Sequence, residues 1–511
     1  MPPAGPEEGV EMPRSAGRSL VRWLKWIAIA TVATIAVGAV AIVVIYLRLP
    51  QSNVGELDFT NPLAIPGELE PRIDENGRLV FDLEVAAGTS EFIAGQRTPT
   101  WGVNGPYLGP TLRADLGDEV LVNVTNNLDE QTTMHWHGMH LPGAMDGGPH
   151  QLIDPGTTWS PTWTIDQPAG SLWYHPHQLG KTAEHVYQGV AGMFLLDDPE
   201  SQALDLPDDY GVDDIPLIVQ DKAFNDDGTL EHHEPLGSQV GVLGDEILVN
   251  GTHDPYFEAT TRLVRLRVLN ASNARVYRLG FTDDRPYWLI GTDSGLLEAP
   301  AERTRLQLSP GERAELVVEV SPGDHTTLRS FAPELGMSFP YSRMNGGDDT
   351  FDILQIRGAD QLSESPPLPA ELVSLDLPDE AEASNTRRFE LGGFSRINGE
   401  RMRMHVIDER VTVGTTEIWE IHSDANTYHN FHIHDVHFAV LDIDGSRPPP
   451  DLRGWKDTVY VAPGSTVRVI TRFEDYTDPD SPYMFHCHVL MHEDRGMMGS
   501  FVIVEAGQST D

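Results

Sequence analysis

The pattern of apolar and polar positions divides the chain near residue 50. Residues 26–47 (WIAIATVATIAVGAVAIVVIYL) are 22 positions without a charge, about the length an α-helix needs to cross a bilayer core. Arg14, Arg18, Arg22 and Lys25 precede the run, and Arg48 is the only positive charge close behind it. That bias places the N-terminus in the cytoplasm and the rest outside. The run is longer than the apolar core of a usual signal peptide. An uncleaved single-pass anchor in the cell membrane is therefore expected, with secretion as the alternative if the segment is removed. No Arg-Arg pair precedes it, so a twin-arginine signal is not supported. The expected limits are a cytoplasmic tail over 1–25 and a transmembrane anchor over 26–47.

Beyond residue 51 the period changes. Segments 119–124 (EVLVNV), 263–268 (LVRLRV) and 467–470 (VRVI) are short, β-branched and partly alternating. They lie between Gly, Pro, Asn and Asp clusters, the pattern of β-sandwiches. Asn-Gly pairs at 104, 250 and 398 each open a strand-rich run, and they stand 146 and 148 residues apart. An isolated Asn-Gly is a common hairpin turn. Three at equal spacing, each with a similar continuation, predict three copies of one domain. The expected limits are 55–200, 201–358 and 387–507, with an acidic, proline-rich linker over 359–386.

Composition and charge narrow the classes. A chain of 511 residues with 40% hydrophobic and 8% aromatic positions can fill the cores of roughly two to four domains. Asp+Glu number 78 against 35 Lys+Arg, a formal charge of -43. Phosphate recognition needs a cationic surface, so no nucleic-acid partner is expected. Self-repulsion of a soluble acidic surface accounts for the excess; adaptation to high salt is the sharper alternative. The single cysteine, Cys487, rules out an intrachain disulfide.

Four histidine clusters carry the candidate chemistry. They are His135-Trp136-His137, His175-Pro176-His177, His429-Asn430-Phe431-His432-Ile433-His434, and His486-Cys487-His488 followed by His492 and Met497. On a strand, positions i and i+2 share a face. Each His-X-His therefore offers two imidazoles to one side, and four pairs supply enough nitrogen ligands for three copper ions. Alternation throws Cys487 to the face opposite His486 and His488. His429, Cys487 and His492 make a His2Cys set with Met497 as a weak axial ligand, the blue-copper arrangement. Zinc could use one such pair, but a closed zinc site wants four ligands rather than eight histidines. The other histidines, among them His140, His150, His422 and His437, are read as ordinary surface or core residues.

The stretches NGPYLGPTLR, HWHG, PGAMDGGPHQLIDPG, WYHPHQLGKT, HNFHIH and FHCHVLMHEDRGMMG resemble those of the three-domain multicopper oxidases, the group of laccases, bilirubin oxidases and copper-efflux oxidases. The resemblance covers about residues 55–505. It implies an all-β fold of three cupredoxin-like Greek-key β-sandwich domains after the N-terminal transmembrane helix, and four copper ions. His429, Cys487, His492 and Met497 match the type 1 ligands. His135 and His432 match the type 2 ligands. His137, His175, His177, His434, His486 and His488 match the type 3 pair. Asp146 and Glu493 match carboxylates that deliver protons during O2 reduction. Asn430 and Asp435 depart from the proline and glycine common at those places, and no methionine-rich insertion is present.

The activity implied is a laccase-like oxidation of phenols, aromatic amines or tetrapyrroles. The small organic reductant would dock near His492, and its electrons would pass through Cys487 to reduce O2 to water. Two alternatives stand beside it. One is a metallo-oxidase taking a reduced metal ion such as Cu(I), Fe(II) or Mn(II). The other is a non-catalytic envelope scaffold or copper-binding protein. A copper nitrite reductase fits less well, since three repeats exceed its usual two.

Overall fold

The computed structural model describes the backbone of residues 1, 5, 14–48, 51–232 and 238–507, and within the N-terminal helix the side chains of 22–38, 46 and 47. The chain separates into two units, 1–50 and 51–511. The first is a helix, Arg14–Arg48, on which Trp23, Trp26, Ile27 and Ile35 are exposed. Among the described residues no helix is long and apolar enough to cross a membrane. The anchor expected over 26–47 runs on through 39–45, whose side chains lie outside the described residues, as do those of most of the tail expected over 1–25.

The second unit is three β-sandwiches. In the first, Leu112–Asp115, Gly192–Asp197, Gly170–His175 and His135–His137 make one sheet. It faces a sheet built on Leu79–Ser90 and Glu119–Asn126. Strand Glu119–Asn126 alternates as its sequence predicts, with Val120, Val122 and Val124 buried against Phe81, Trp136, Trp163 and Phe194. The third sandwich packs the sheet containing Asn385–Gly392, Thr415–Ser423 and Thr466–Phe473 on the sheet containing His429–Ile433, Tyr483–His486 and Met498–Val504. Its centre is Trp419, ringed by Phe389, Phe431, Phe485 and Phe501.

Leu263–Asn270, in the second sandwich, is buried at every position, where the sequence predicts only partial alternation. One face, with Leu266 and Val268, fills its own core. Leu269 on the other face packs on Trp173, Met193 and Leu195 of the first sandwich. A strand covered on both sides has no reason to alternate. Two expected boundaries also shift. Asn61–Pro62, expected in the first domain, pairs in parallel with Pro255 and Tyr256 of the second. Strand Phe351–Ser363 runs on into the stretch read as linker, because Ser363 still pairs with Thr261.

The Asn-Gly repeat has one structural device behind it. Asn104, Asn250 and Asn398 all lie at φ between 52° and 54°, the left-handed region that asparagine tolerates better than most residues. Each clamps a neighbouring strand in the same way. Side-chain Oδ1 accepts from the backbone N–H of Glu84, Ile218 or Glu390, and Nδ2 donates to the carbonyl two residues earlier, at Asp82, Pro216 or Arg388.

Candidate metal centre

The four clusters meet between the first and third sandwiches. Strand register does much of this work. His175 stands opposite His135, and Trp173 opposite His137, across one antiparallel pair. His432 stands opposite His486 across another. Every one of the ten expected histidine ligands and Cys487 is at least 99% buried. Three groups have ligand nitrogens within 4.8 Å of one another: His135, His137 and His432; His137, His175 and His488; and His177, His434 and His486. A fourth group holds His429, Cys487 and His492. Strand Tyr483–His486 ends at the first of its histidines; Cys487 falls with His429 and His492, while His486 and His488, expected on one face, fall into two different histidine groups.

Ring partners decide which nitrogens carry lone pairs. A carbonyl oxygen can only accept, so a ring nitrogen bonded to one must donate. His135 Nδ1 donates to Asp146 O at 2.9 Å, His432 Nδ1 to Asp457 O at 2.9 Å and His175 Nδ1 to Pro176 O at 2.8 Å. His434 Nδ1 lies 2.8 Å from Asp146 Oδ2, and His137 Nε2 lies 3.0 Å from Asp457 Oδ1. The opposite nitrogens are thereby left as acceptors that point at each other. His175 Nε2 is 3.4 Å from His137 Nδ1, and His434 Nε2 is 3.3 Å from His486 Nε2. His135 Nε2, His432 Nε2 and both nitrogens of His488 have no protein partner among the described residues. Lone pairs converging in a dry interior repel one another unless a cation lies between them. The donor set therefore fits copper.

Burial supplies the matching protonation state. It is the first cause holding His137, His175, His177, His429, His434, His486 and His488 well below the usual imidazole range, and it pushes His492 down to about 4. These rings are neutral bases at pH 7, as metal ligation requires.

At the thiol, Sγ of Cys487 is 3.6 Å from His429 Nδ1 and 3.5 Å from His492 Nδ1. His492 Nε2 donates to Gln239 O at 2.7 Å, which leaves its Nδ1 lone pair facing the sulfur. Met497 is fully buried in the same core cluster as Cys487, and its carbonyl accepts from the Cys487 N–H at 3.1 Å. Burial pushes the free thiol up to about 12, so metal binding there must displace a proton.

The two expected carboxylates lie against the histidines rather than apart from them. Asp146 touches His434 and, at 3.4 Å, His135 Nδ1. Glu493 reaches His177 Nδ1 at 3.4 Å and His486 Nδ1 at 3.3 Å, and burial raises its carboxyl. Glycine is required beside both motifs. Gly138 lies at φ +85, and a Cβ on it would sit 2.6 Å from Arg313 and Asp457. A Cβ on Gly147 would overlap Met134 O.

Asp457 is the main residue that motif reading misses. It supports His137 and His432 together and is paired with Arg313 through Oδ1 at 2.8 Å and Oδ2 at 2.6 Å. Burial alone would raise its carboxyl, but the Arg313 guanidinium and then His137 outweigh it and hold it well below the carboxylate range. The one sequence signal is that Asp457 follows Lys456, one of only four lysines, just before an apolar strand. Asn430 is also more than a departure from proline. Its Oδ1 accepts from the His488 N–H at 2.6 Å and from Cys487 Sγ at 3.6 Å, while Nδ2 donates to Pro310 O at 2.7 Å. Among the histidines read as ordinary, His150 and His437 bond to backbone carbonyls, His422 to Thr466, and His140 to Asp435.

Family profiles described as multicopper oxidase match residues 84–201 and 369–507. A crystal structure of a multi-copper oxidase from Pediococcus acidilactici is 34% identical, covers 88% of this chain and 93% of its own, and superposes with a TM-score of 0.79. The chain belongs to the multicopper oxidase family. Among the chain's relatives, the cell division protein FtsP of Dickeya dadantii is 37% identical over 451 residues, 86% of this chain and 92% of that protein. The cell division protein FtsP of Escherichia coli is 37% identical with the same coverages. These relatives overturn the expectation of a laccase-like oxidase of phenols, aromatic amines or tetrapyrroles. Proteins similar to nearly the whole chain are named for cell division, while the motifs that suggested the activity report the family and its ligand set. Ligand residues specify what can be bound, not that a turnover follows.

Proposed function

We propose that this chain is a non-catalytic, copper-binding scaffold that acts in cell division outside the cytoplasm, tethered by residues 26–47. The similarity to FtsP proteins along almost their whole length carries the reading. On this reading His429, Cys487, His492 and Met497 hold one copper, His135 and His432 a second, and His137, His175, His177, His434, His486 and His488 two more. Asp146, Glu493 and Asp457 orient these rings through their second nitrogens. The ligands of the last three ions come equally from the first sandwich (His135, His137, His175, His177) and the third (His432, His434, His486, His488), so bound copper would supply a cross-link between those two sandwiches. A ligand that binds only the folded state stabilises it by mass action.

The test combines a cell and a tube. Cells lacking the chain should divide late and grow long, and a fluorescently tagged chain should gather at the division plane. Cys487→Ser should restore division as well as the unaltered chain does. Purified, copper-loaded protein should consume no O2 with a phenolic dye, Cu(I) or Fe(II). Normal division without the chain would refute the reading, as would steady O2 consumption together with failure of Cys487→Ser to restore division.

A further inference from the structure

One surface of this acidic chain carries the opposite charge. Residues 393–405 hold Arg396, Arg401 and Arg403 against the single acid Glu400, in a chain whose formal charge is -43. From Arg401 to His405 exposure alternates, with Arg401, Arg403 and His405 exposed and Met402 and Met404 half-buried between them. Positions i and i+2 of an extended segment share a side, so the two guanidiniums stand together on the outside. The segment is fixed in place. Met402 N donates to Gly496 O at 2.9 Å, and a Cβ on Gly496 would lie 3.3 Å from the Arg401 Cβ. That contact sets the exposed Arg495 beside Arg401. Phe394, 36% exposed, flanks the patch with its ring centre 5.8 Å from that of His492.

These cations differ from other surface arginines in what faces them. Arg72, Arg262 and Arg388 each lie within 3.0 Å of a carboxylate. Arg396, Arg401 and Arg403 form no ion pair among the described residues. One donor of Arg396 goes to Gly399 O at 2.5 Å and one of Arg401 to Ser395 Oγ at 3.0 Å. Arg403 makes no side-chain hydrogen bond among the described residues. It attracts Asp408 only from beyond ion-pair reach, and that carboxylate accepts from Ser500 N at 2.9 Å instead. Like charges at alternate positions repel, and no contact within the fold offsets that repulsion. The Debye length at physiological salt is about 8 Å, so the patch presents its own sign locally despite the acidic total.

We propose that this patch is a docking surface for an acidic segment of a partner protein that also carries an apolar side chain. Carboxylates of the segment would pair bidentately with Arg401 and Arg403, and the apolar side chain would pack on Phe394. Charge complementarity selects this partner. Acidic molecules are repelled by the chain as a whole, and a local patch of opposite sign admits them in one orientation. Anionic lipid fits less well, because a chain of charge -43 is repelled as a body from an anionic bilayer surface. The proposal builds on the scaffold reading by naming the chemistry of a partner for it; the binding measurement and the division test fail separately.

Calorimetry on the full chain in a nonionic detergent at low ionic strength tests it. The probes are a blocked Glu-Phe-Glu-Glu-Leu-Glu hexapeptide, its analogue with glutamine for every glutamate, and the soluble lipid dihexanoyl phosphatidylglycerol. The acidic peptide should bind one to one and at least about tenfold more tightly than the analogue, as charge-assisted pairs require. That preference should vanish as salt shortens the Debye length to about 3 Å. Arg401→Glu with Arg403→Glu should abolish it without moving the thermal midpoint, since neither side chain holds the fold by an ion pair. Arg72→Glu with Arg388→Glu changes the net charge equally at arginines already paired with Asp82 and Glu420, and should leave the preference within about twofold. Equal binding of the peptide and its analogue overturns the proposal, as does an equal loss in the two double variants. Tighter binding of the lipid than of the peptide, lost in the Arg401 and Arg403 double variant, overturns it in favour of a membrane surface.

Discussion

Replacing Arg313 by methionine is the sharpest stability test of how the three sandwiches are held together. All five guanidinium N–H donors are used. Nε donates to Ser171 O, Nη1 to Gly311 O and Asp457 Oδ1, and Nη2 to Asp293 O and Asp457 Oδ2. Ser171 belongs to the first sandwich, Gly311 and Asp293 to the second and Asp457 to the third, and both Arg313 and Asp457 are fully buried. Methionine fills much of the volume but leaves the Asp457 carboxylate in the interior without its cation. Removing one partner of a buried pair costs about 3–5 kcal/mol. Asp457→Asn in the same chain removes the stranded charge and should recover at least about 1 kcal/mol. Urea unfolding followed at several probes measures both, since a three-sandwich unit need not unfold in one step.

The acid limb gives a second readout of the same pair. Because Asp457 is held below its ordinary value of 3.8, its stabilisation is complete above that value and is lost as pH falls through the lower folded-state value. Without Arg313 the carboxyl rises, so the acid-induced loss should begin at higher pH. A single-variant cost below about 1 kcal/mol, with the acid limb unmoved, would refute the account of Arg313 as the shared tie.

Three further outcomes are expected. Lys222 is buried with Nζ donating to Tyr187 O at 2.8 Å and lying 4.1 Å from that ring's centre, and burial pushes it down to about 7 from 10.5. Its folded value is depressed, so stability should rise between pH 7 and 10.5 and the penalty be full below 7. Lys222→Met should flatten that slope and stabilise the protein by about 3 kcal/mol at pH 7 after the lost hydrogen bond is counted, as read from urea midpoints. Asn398→Ala should cost about 2 kcal/mol, from a left-handed backbone position and two lost side-chain bonds, whereas Asn398→Gly should recover the strain part alone. Asn430→Ala should cost about 2 kcal/mol and lower copper retention on dialysis, because the His488 N–H and the thiol lose the same acceptor; unchanged copper content would count against that link.

Much of this protein was legible along the chain, and the reason is that the signals are local. Three Asn-Gly pairs announced three sandwiches because each turn needs a left-handed residue and each Asn bonds strands a short distance away. His-X-His pairs announced paired ligands because strand geometry has a period of two. What local pattern could not carry was any group whose meaning depends on a distant segment. Asp457 reads as one acid among many until Arg313 and His137 are folded against it from 144 and 320 positions away. Leu263–Asn270 reads as a half-exposed strand until a neighbouring sandwich covers its second face. Asp435 reads as a loop residue until its left-handed φ and its buried bond to His140 are seen. The sequence by itself determined the strand-rich architecture and the inventory of copper-type ligands, since both follow from turn chemistry and side-chain alternation. Only the tertiary structure decided which imidazole nitrogens converge and which carboxylates orient them, because those depend on buried charges and lone pairs meeting across domains.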